Sequence, residues 1–137
     1  MTEASTTVRL VYRHFPLPQH QNAELASQAS EAAGVQGKFW DMYHLLFENQ
    51  DDFETIPDGT AVFAGYASKL GLNMEQYARD LASSTLKTHI DAEADEGRTI
   101  GIDHTPTFFV NGKVIDNPQS YDEFKAVIDK AASTRTP

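Results

Sequence analysis

Hydrophobic and polar positions fall into three patterns along this chain. Val8, Leu10, Val11 and Tyr12 make a short apolar run interrupted only by Arg9 and Arg13, which predicts a buried strand over residues 8–13. Phe15-Pro16-Leu17-Pro18 ends it, because two prolines impose an extended or turning path. Residues 22–33 are Ala-rich and helical by propensity, and Gly34 and Gly37 close them. Phe39, Trp40, Tyr43, Leu46 and Phe47 recur at helical spacing, so residues 38–49 predict a strongly amphipathic helix. That spacing assigns the aromatic row to the core rather than to a binding platform.

An acidic loop spans residues 50–59, and residues 60–70 then place Val62, Phe63, Tyr66, Ala67 and Leu70 on one helical face. Asn73 with Gln76 reads as a capping box opening a helix over residues 74–82. A further helix over residues 85–99 leads with Leu86 and Ile90. Thr107–Ile115 carries a hairpin signal, since Asn111-Gly112 suits a type I′ turn in which both central residues need positive φ. Ser120 and Glu123 form a second capping box, opening a last helix over residues 121–132 with Phe124, Val127, Ile128 and Ala131 inward. The order strand, about five helices, hairpin, helix predicts an α/β domain with a three-stranded sheet.

Composition narrows the function classes. A net charge of −9 with no basic stripe argues against nucleic acid or an anionic membrane surface as partners. No stretch approaches the ~18 consecutive apolar residues of a membrane span. The five histidines, at 14, 20, 44, 89 and 104, include no pair on one helix with a carboxylate in the His-Glu-X-X-His arrangement, so no metal is expected. No serine sits in a Gly-X-Ser-X-Gly context, which disfavours a hydrolase. The cysteine count is zero, so there is neither a disulfide nor a thiolate ligand. No cofactor is expected.

Three segments carry a resemblance. Residues 8–17, Val-Arg-Leu-Val-Tyr-Arg-His-Phe-Pro-Leu, residues 31–42, Glu-Ala-Ala-Gly-Val-Gln-Gly-Lys-Phe-Trp-Asp-Met, and residues 101–112, Gly-Ile-Asp-His-Thr-Pro-Thr-Phe-Phe-Val-Asn-Gly, stand in the order and spacing of the DsbA-like thiol–disulfide oxidoreductases. The chain resembles that family over residues 8–132, which implies a thioredoxin-like fold with an α-helical insertion. Residues 8–19 and 100–132 then form the thioredoxin-like part, residues 20–99 the insertion, and residues 1–7 and 133–137 flexible ends of one domain.

The resemblance implies disulfide exchange on protein substrates, with a cis bond before Pro106 and a peptide groove faced by His104, Thr105 and Pro106. It also shows a departure. The family's first strand and helix, bearing Cys-X-X-Cys, precede the segment that starts at Val8, and here that βα unit is missing. The chain as given is therefore expected to be inactive in thiol chemistry, a truncated member. The compartment follows from that: cytoplasmic if Met1 is the native start, extracytoplasmic if a leader and the Cys-X-X-Cys unit lie upstream. The alternatives are a non-catalytic peptide-binding or self-associating module and a glutathione-handling relative of the kappa-transferase kind. The gap is expected to be closed by direct pairing of the strands at 8–13 and 107–111 or by a second copy of the chain, with a homodimer favoured.

Overall fold

The computed structural model describes residues 8–133 in full and residues 2–4 by their backbone. Six helices carry most of the chain: α1 (Ala23–Val35), α2 (Phe39–Glu48), α3 (Thr60–Lys69), α4 (Met74–Leu81), α5 (Ser84–Thr99) and α6 (Tyr121–Ser133). Strands β1 (Thr2–Ala4) and β2 (Arg9–Val11) pair antiparallel, and so do β3 (Phe108–Val110) and β4 (Lys113–Ile115).

The core belongs to the helical part. Ala29, Ala32 and Ala33 of α1 are buried against Met42 and Leu46 of α2, Phe63 and Ala67 of α3 and Tyr77 of α4. Alanine at those α1 positions lets neighbouring helices approach closely and leaves the large side chains of the partners to fill the space. The expected capping at α4 is present, with Asn73 Oδ1 accepting from the Gln76 N–H at 2.9 Å. Gln36, at the end of α1, then brackets the Asn73 backbone, accepting from its N–H at 2.8 Å and donating to its carbonyl at 3.2 Å. At α6 the Ser120 hydroxyl accepts from the Glu123 N–H at 3.2 Å, as its capping box requires.

Buried Asn22 holds the acidic loop in place. It donates to the Phe53 carbonyl at 2.7 Å and the Ile56 carbonyl at 2.8 Å, and accepts from the Gly59 N–H at 2.9 Å. Its side chain therefore secures a loop some 30 residues away rather than capping the helix it precedes, and three otherwise orphaned backbone groups are satisfied. Gly97 marks another close approach, because a Cβ there would stand 2.8 Å from the Phe15 ring. That contact presses the segment after β2 onto α5, and the Arg98 guanidinium covers the same ring at 5.4 Å from its centroid.

Three expectations are corrected. The strand over residues 8–13 is three residues long and exposed rather than buried, with Val8, Leu10 and Val11 all open to solvent. The three-stranded sheet is replaced by two separate two-stranded ribbons. Residues 2–4, expected within a flexible end, instead form β1, with Thr2 opposite Val11 and Ala4 opposite Arg9. The physical reason is common to all three. The β2 edge needs hydrogen-bond partners, and the nearest chain segment supplies them, so β2 and β3 do not pair with one another as expected. The remaining residues of the two expected flexible ends, 1, 5–7 and 134–137, lie outside the described residues, apart from Ser133, which ends α6. The aromatic row also divides: Phe39 is buried, whereas Phe47 is 58% exposed.

Candidate functional site

The ribbon β3–β4 and helix α6 have no fully buried residue among them. Phe108 and Phe124 meet edge to face at 4.9 Å, and Phe124, Val127, Ile128 and Ala131 turn inward yet stay half-exposed. Between this layer and the helical core runs an open groove of about 2330 Å³. Its walls are β2, the last turns of α5, the loop at residues 104–107 with β3, and the inner face of α6, with Tyr43 and Phe47 reaching in from α2.

The loop at 104–107 is built by local chemistry. Helix α5 ends as the Ile102 N–H bonds the Gly97 carbonyl at 3.0 Å and the Gly101 N–H bonds the Arg98 carbonyl at 3.1 Å. The Thr105–Pro106 peptide bond is cis. On one side the Thr107 hydroxyl donates to the His104 carbonyl at 2.7 Å, and on the other Asn117 donates to the Pro106 carbonyl at 2.6 Å. Two side-chain hydrogen bonds thus pin a loop whose residues Thr105 and Pro106 are exposed to the groove. The strand that follows turns back at Asn111 (φ 50°) and Gly112 (φ 78°), the pair of positive values a type I′ hairpin needs. Strand β3 bonds β4 along one edge, and its other edge has no strand partner among the described residues.

The opposite wall carries buried charge. The His14 backbone N–H donates to Glu93 Oε2 at 2.7 Å, while Arg13 Nη1 lies 3.0 Å and His89 Nε2 3.5 Å from Glu93 Oε1. The His14 ring is 2% exposed and its Nε2 meets Glu31 Oε1 at 3.0 Å. Burial pushes the Glu31 carboxyl up, but the hydrogen bond and charge of His14, with the charge of His89, more than offset it and hold the group below its ordinary value. Tyr12 stacks edge to face on His14 at 5.2 Å and on Tyr43 at 5.3 Å. Burial first, then the neighbouring Tyr43 and Glu93, pushes its phenol up to about 12. These contacts tie β2 to α1, α2 and α5, so the strand is exposed at its apolar edge and anchored at its end.

Comparison with known proteins agrees with this architecture. The family described as thioredoxin matches residues 3–130. The chain belongs to that family. Its fold is shared with BdbD from Bacillus subtilis in its oxidised form, at a TM-score of 0.71 and 30% identity, over 84% of this chain and 64% of that one. A thioredoxin-like oxidoreductase from Silicibacter pomeroyi DSS-3 superposes at a TM-score of 0.68 with 24% identity, over 92% of this chain and 69% of its own. The resemblance to DsbA-like thiol–disulfide oxidoreductases and the thioredoxin-like fold both stand. Among curated relatives, the Na(+)/H(+) antiporter NhaA 3 of Salinispora tropica is 36% identical over 95% of this chain, and NhaA 1 of Mycolicibacterium vanbaalenii 41% identical over 74%. The chain spans a fifth or less of the length of these relatives. Among the described residues, no helix is long and apolar enough to cross a membrane.

The structure brings His104, Thr105 and Pro106 together on one exposed loop at the groove of this thioredoxin-family domain. Sequence reasoning missed Asp103, whose Oδ1 lies 2.7 Å from His104 Nδ1. It also missed the His14–Glu31–Glu93 cluster. A signal existed for Glu31, the one charged residue inside the run of small residues 29–33, all of which are buried.

Proposed function

We propose that these residues form the polypeptide-facing part of a thiol–disulfide oxidoreductase acting on protein substrates, and that the redox couple comes from outside them. Disulfide exchange proceeds by attack of a thiolate on a disulfide sulfur, and this chain contains no cysteine to attack or to leave. The observation that carries the reading is the exposed Thr105–Pro106 loop, pinned by Thr107 and Asn117, which opens into an apolar groove. An extended peptide can pair its main chain with the exposed backbone of the loop, with alternate side chains entering the groove. Phe109 and Ile100, both exposed, supply apolar surface for them.

The test is an amide NMR titration of the full chain with an extended, blocked peptide. Binding at the groove moves the amides of Thr105, Thr107, Phe109 and Asn111 first. Saturable shifts centred on α3 and α4 instead would overturn the assignment.

A homodimer is the second reading, favoured by the exposed apolar side chains Leu10, Val11 and Phe47 along the same groove. Sedimentation velocity over a hundredfold range of concentration distinguishes the two. A monomer throughout rules the dimer out and leaves the peptide reading in place.

A further inference from the structure

The 104–107 loop carries one group that peptide binding alone does not use. The geometry points to His104, oriented by Asp103, as the proton acceptor for a cysteine thiol of the polypeptide bound at this loop. The inference rests on the groove being a peptide site and adds to it the class of substrate: a chain that presents a reduced cysteine beside Thr105.

Asp103 Oδ1 stands 2.7 Å from His104 Nδ1, so the carboxylate holds the ring proton on Nδ1 and leaves Nε2 as the accepting nitrogen. The hydrogen bond from His104, followed by its charge, holds the Asp103 carboxyl below its ordinary value, so it is ionised throughout the neutral range. Among the described residues Nε2 has no hydrogen-bond partner, and no other carboxylate lies within ion-pair distance of the ring. The other charged groups lining the groove are Arg9, Arg13, Glu54, Glu93, Asp95, Glu96 and Lys125, and the glutamates at 93 and 96 are already engaged by Arg13. A carboxylate–imidazole pair with one open nitrogen is the arrangement that accepts a proton and stabilises the resulting imidazolium.

Rigidity completes the case. The His104 carbonyl is fixed by the Thr107 hydroxyl at 2.7 Å and the Pro106 carbonyl by Asn117 at 2.6 Å, so the ring is mounted on a loop held on both sides. In the step itself the S–H bond breaks, its electron pair stays on sulfur, and the proton forms an N–H bond at Nε2. The product is a thiolate beside an imidazolium that Asp103 faces. The thiolate is the nucleophilic form in disulfide exchange, so this step prepares the substrate for whichever disulfide meets it in the groove. His104 acts on the substrate directly; Asp103 is a positioning residue.

The magnitude sets the readout. An unperturbed thiol is only a few per cent ionised at pH 7, and lowering its pKa by about one unit raises the thiolate fraction about eightfold. Because a less basic thiolate is a weaker nucleophile, alkylation should accelerate by about threefold.

The experiment uses the full chain and a blocked six-residue peptide with one central cysteine, titrated by amide NMR and alkylated with iodoacetamide at pH 7. The expected result is binding at the 104–107 loop and about threefold faster alkylation of the bound peptide. H104A and D103N should each abolish the acceleration when alkylation is measured with the peptide saturated by the chain. Both side chains are exposed, and urea midpoints equal to that of the parent establish that the variants are folded. Binding at the loop with an alkylation rate that is unchanged, or that H104A does not alter, overturns the role of His104 and leaves the peptide site standing. No binding at the loop overturns both.

Discussion

Replacing Glu31 with leucine strips the buried His14 ring of its acceptor while leaving the rest of the β2 anchor intact. The His14 backbone N–H still bonds Glu93, so the variant removes one interaction rather than the whole junction. His14 and Glu31 are 2% and 5% exposed and 3.0 Å apart, with no solvent to compensate for a lost partner. Removing one member of such a pair costs about 3–5 kcal/mol, out of the roughly 5–15 kcal/mol that holds a domain folded. With a urea dependence of about 2 kcal/mol per molar, the midpoint should fall by about 2 M in far-UV circular dichroism. His14→Leu should cost a similar amount by stranding the Glu31 carboxylate. The double variant, with two apolar groups packed together, should lie within about 1 kcal/mol of the parent, giving a coupling of about 5 kcal/mol or more.

The pH dependence has a definite sign. The Glu31 carboxyl is held below its unfolded value of 4.5, so the stability it contributes is present above that value and is lost as pH falls through the lower folded value. In His14→Leu the hydrogen bond and charge of His14 are gone, and burial is opposed by the smaller effect of the His89 charge. The Glu31 pKa therefore rises relative to the parent, and the gap between that variant and the parent should narrow on acidification. Single variants costing under about 1 kcal/mol, or a double variant costing the sum of the two, would refute the reasoning.

Three further outcomes follow from the same packing. Gly97→Ala should destabilise the fold by about 1–3 kcal/mol in urea titration, because the added Cβ meets the Phe15 ring at 2.8 Å. Asn22→Ala leaves the Gly59 N–H and the Phe53 and Ile56 carbonyls without their partner, and should cost about 2–4 kcal/mol. Hydrogen exchange should show the loss first at the Gly59 amide. Burial foremost raises the phenols of Tyr12, Tyr66 and Tyr77 to about 12, so ultraviolet titration should find them ionising late. Since their folded values exceed the unfolded 10.0, stability should decline as pH rises from about 10 through 12.

The helices were legible because each rests on local signals. The Asn73 and Ser120 caps, the aromatic spacing of α2 and the Asn111-Gly112 turn all act within a few residues, and all are present in the structure. The sheet was not legible, because strand burial depends on which segment lies alongside. Leu10 and Val11 have the apolar pattern of a covered strand, yet they are exposed. At the site, the loop residues 104–106 could be placed from their motif. The His14–Glu31 pair could not, since residues 17 positions apart meet only after α1 packs against the segment that follows β2. Asp103 escaped notice for a different reason: in a sequence with 20 acidic residues, one more beside a histidine carries no distinguishing pattern.

The central claim is that these residues hold the polypeptide but not the redox couple. The direct measurement joins a strand–Cys-X-X-Cys–helix unit ahead of Val8 and follows oxidation of a fluorescent dithiol peptide by the fusion, the unit alone and the chain alone. The chain alone should show only the uncatalysed rate, and the fusion should turn over faster than the isolated unit. A fusion no faster than the unit alone, or measurable exchange by the chain alone, would contradict it.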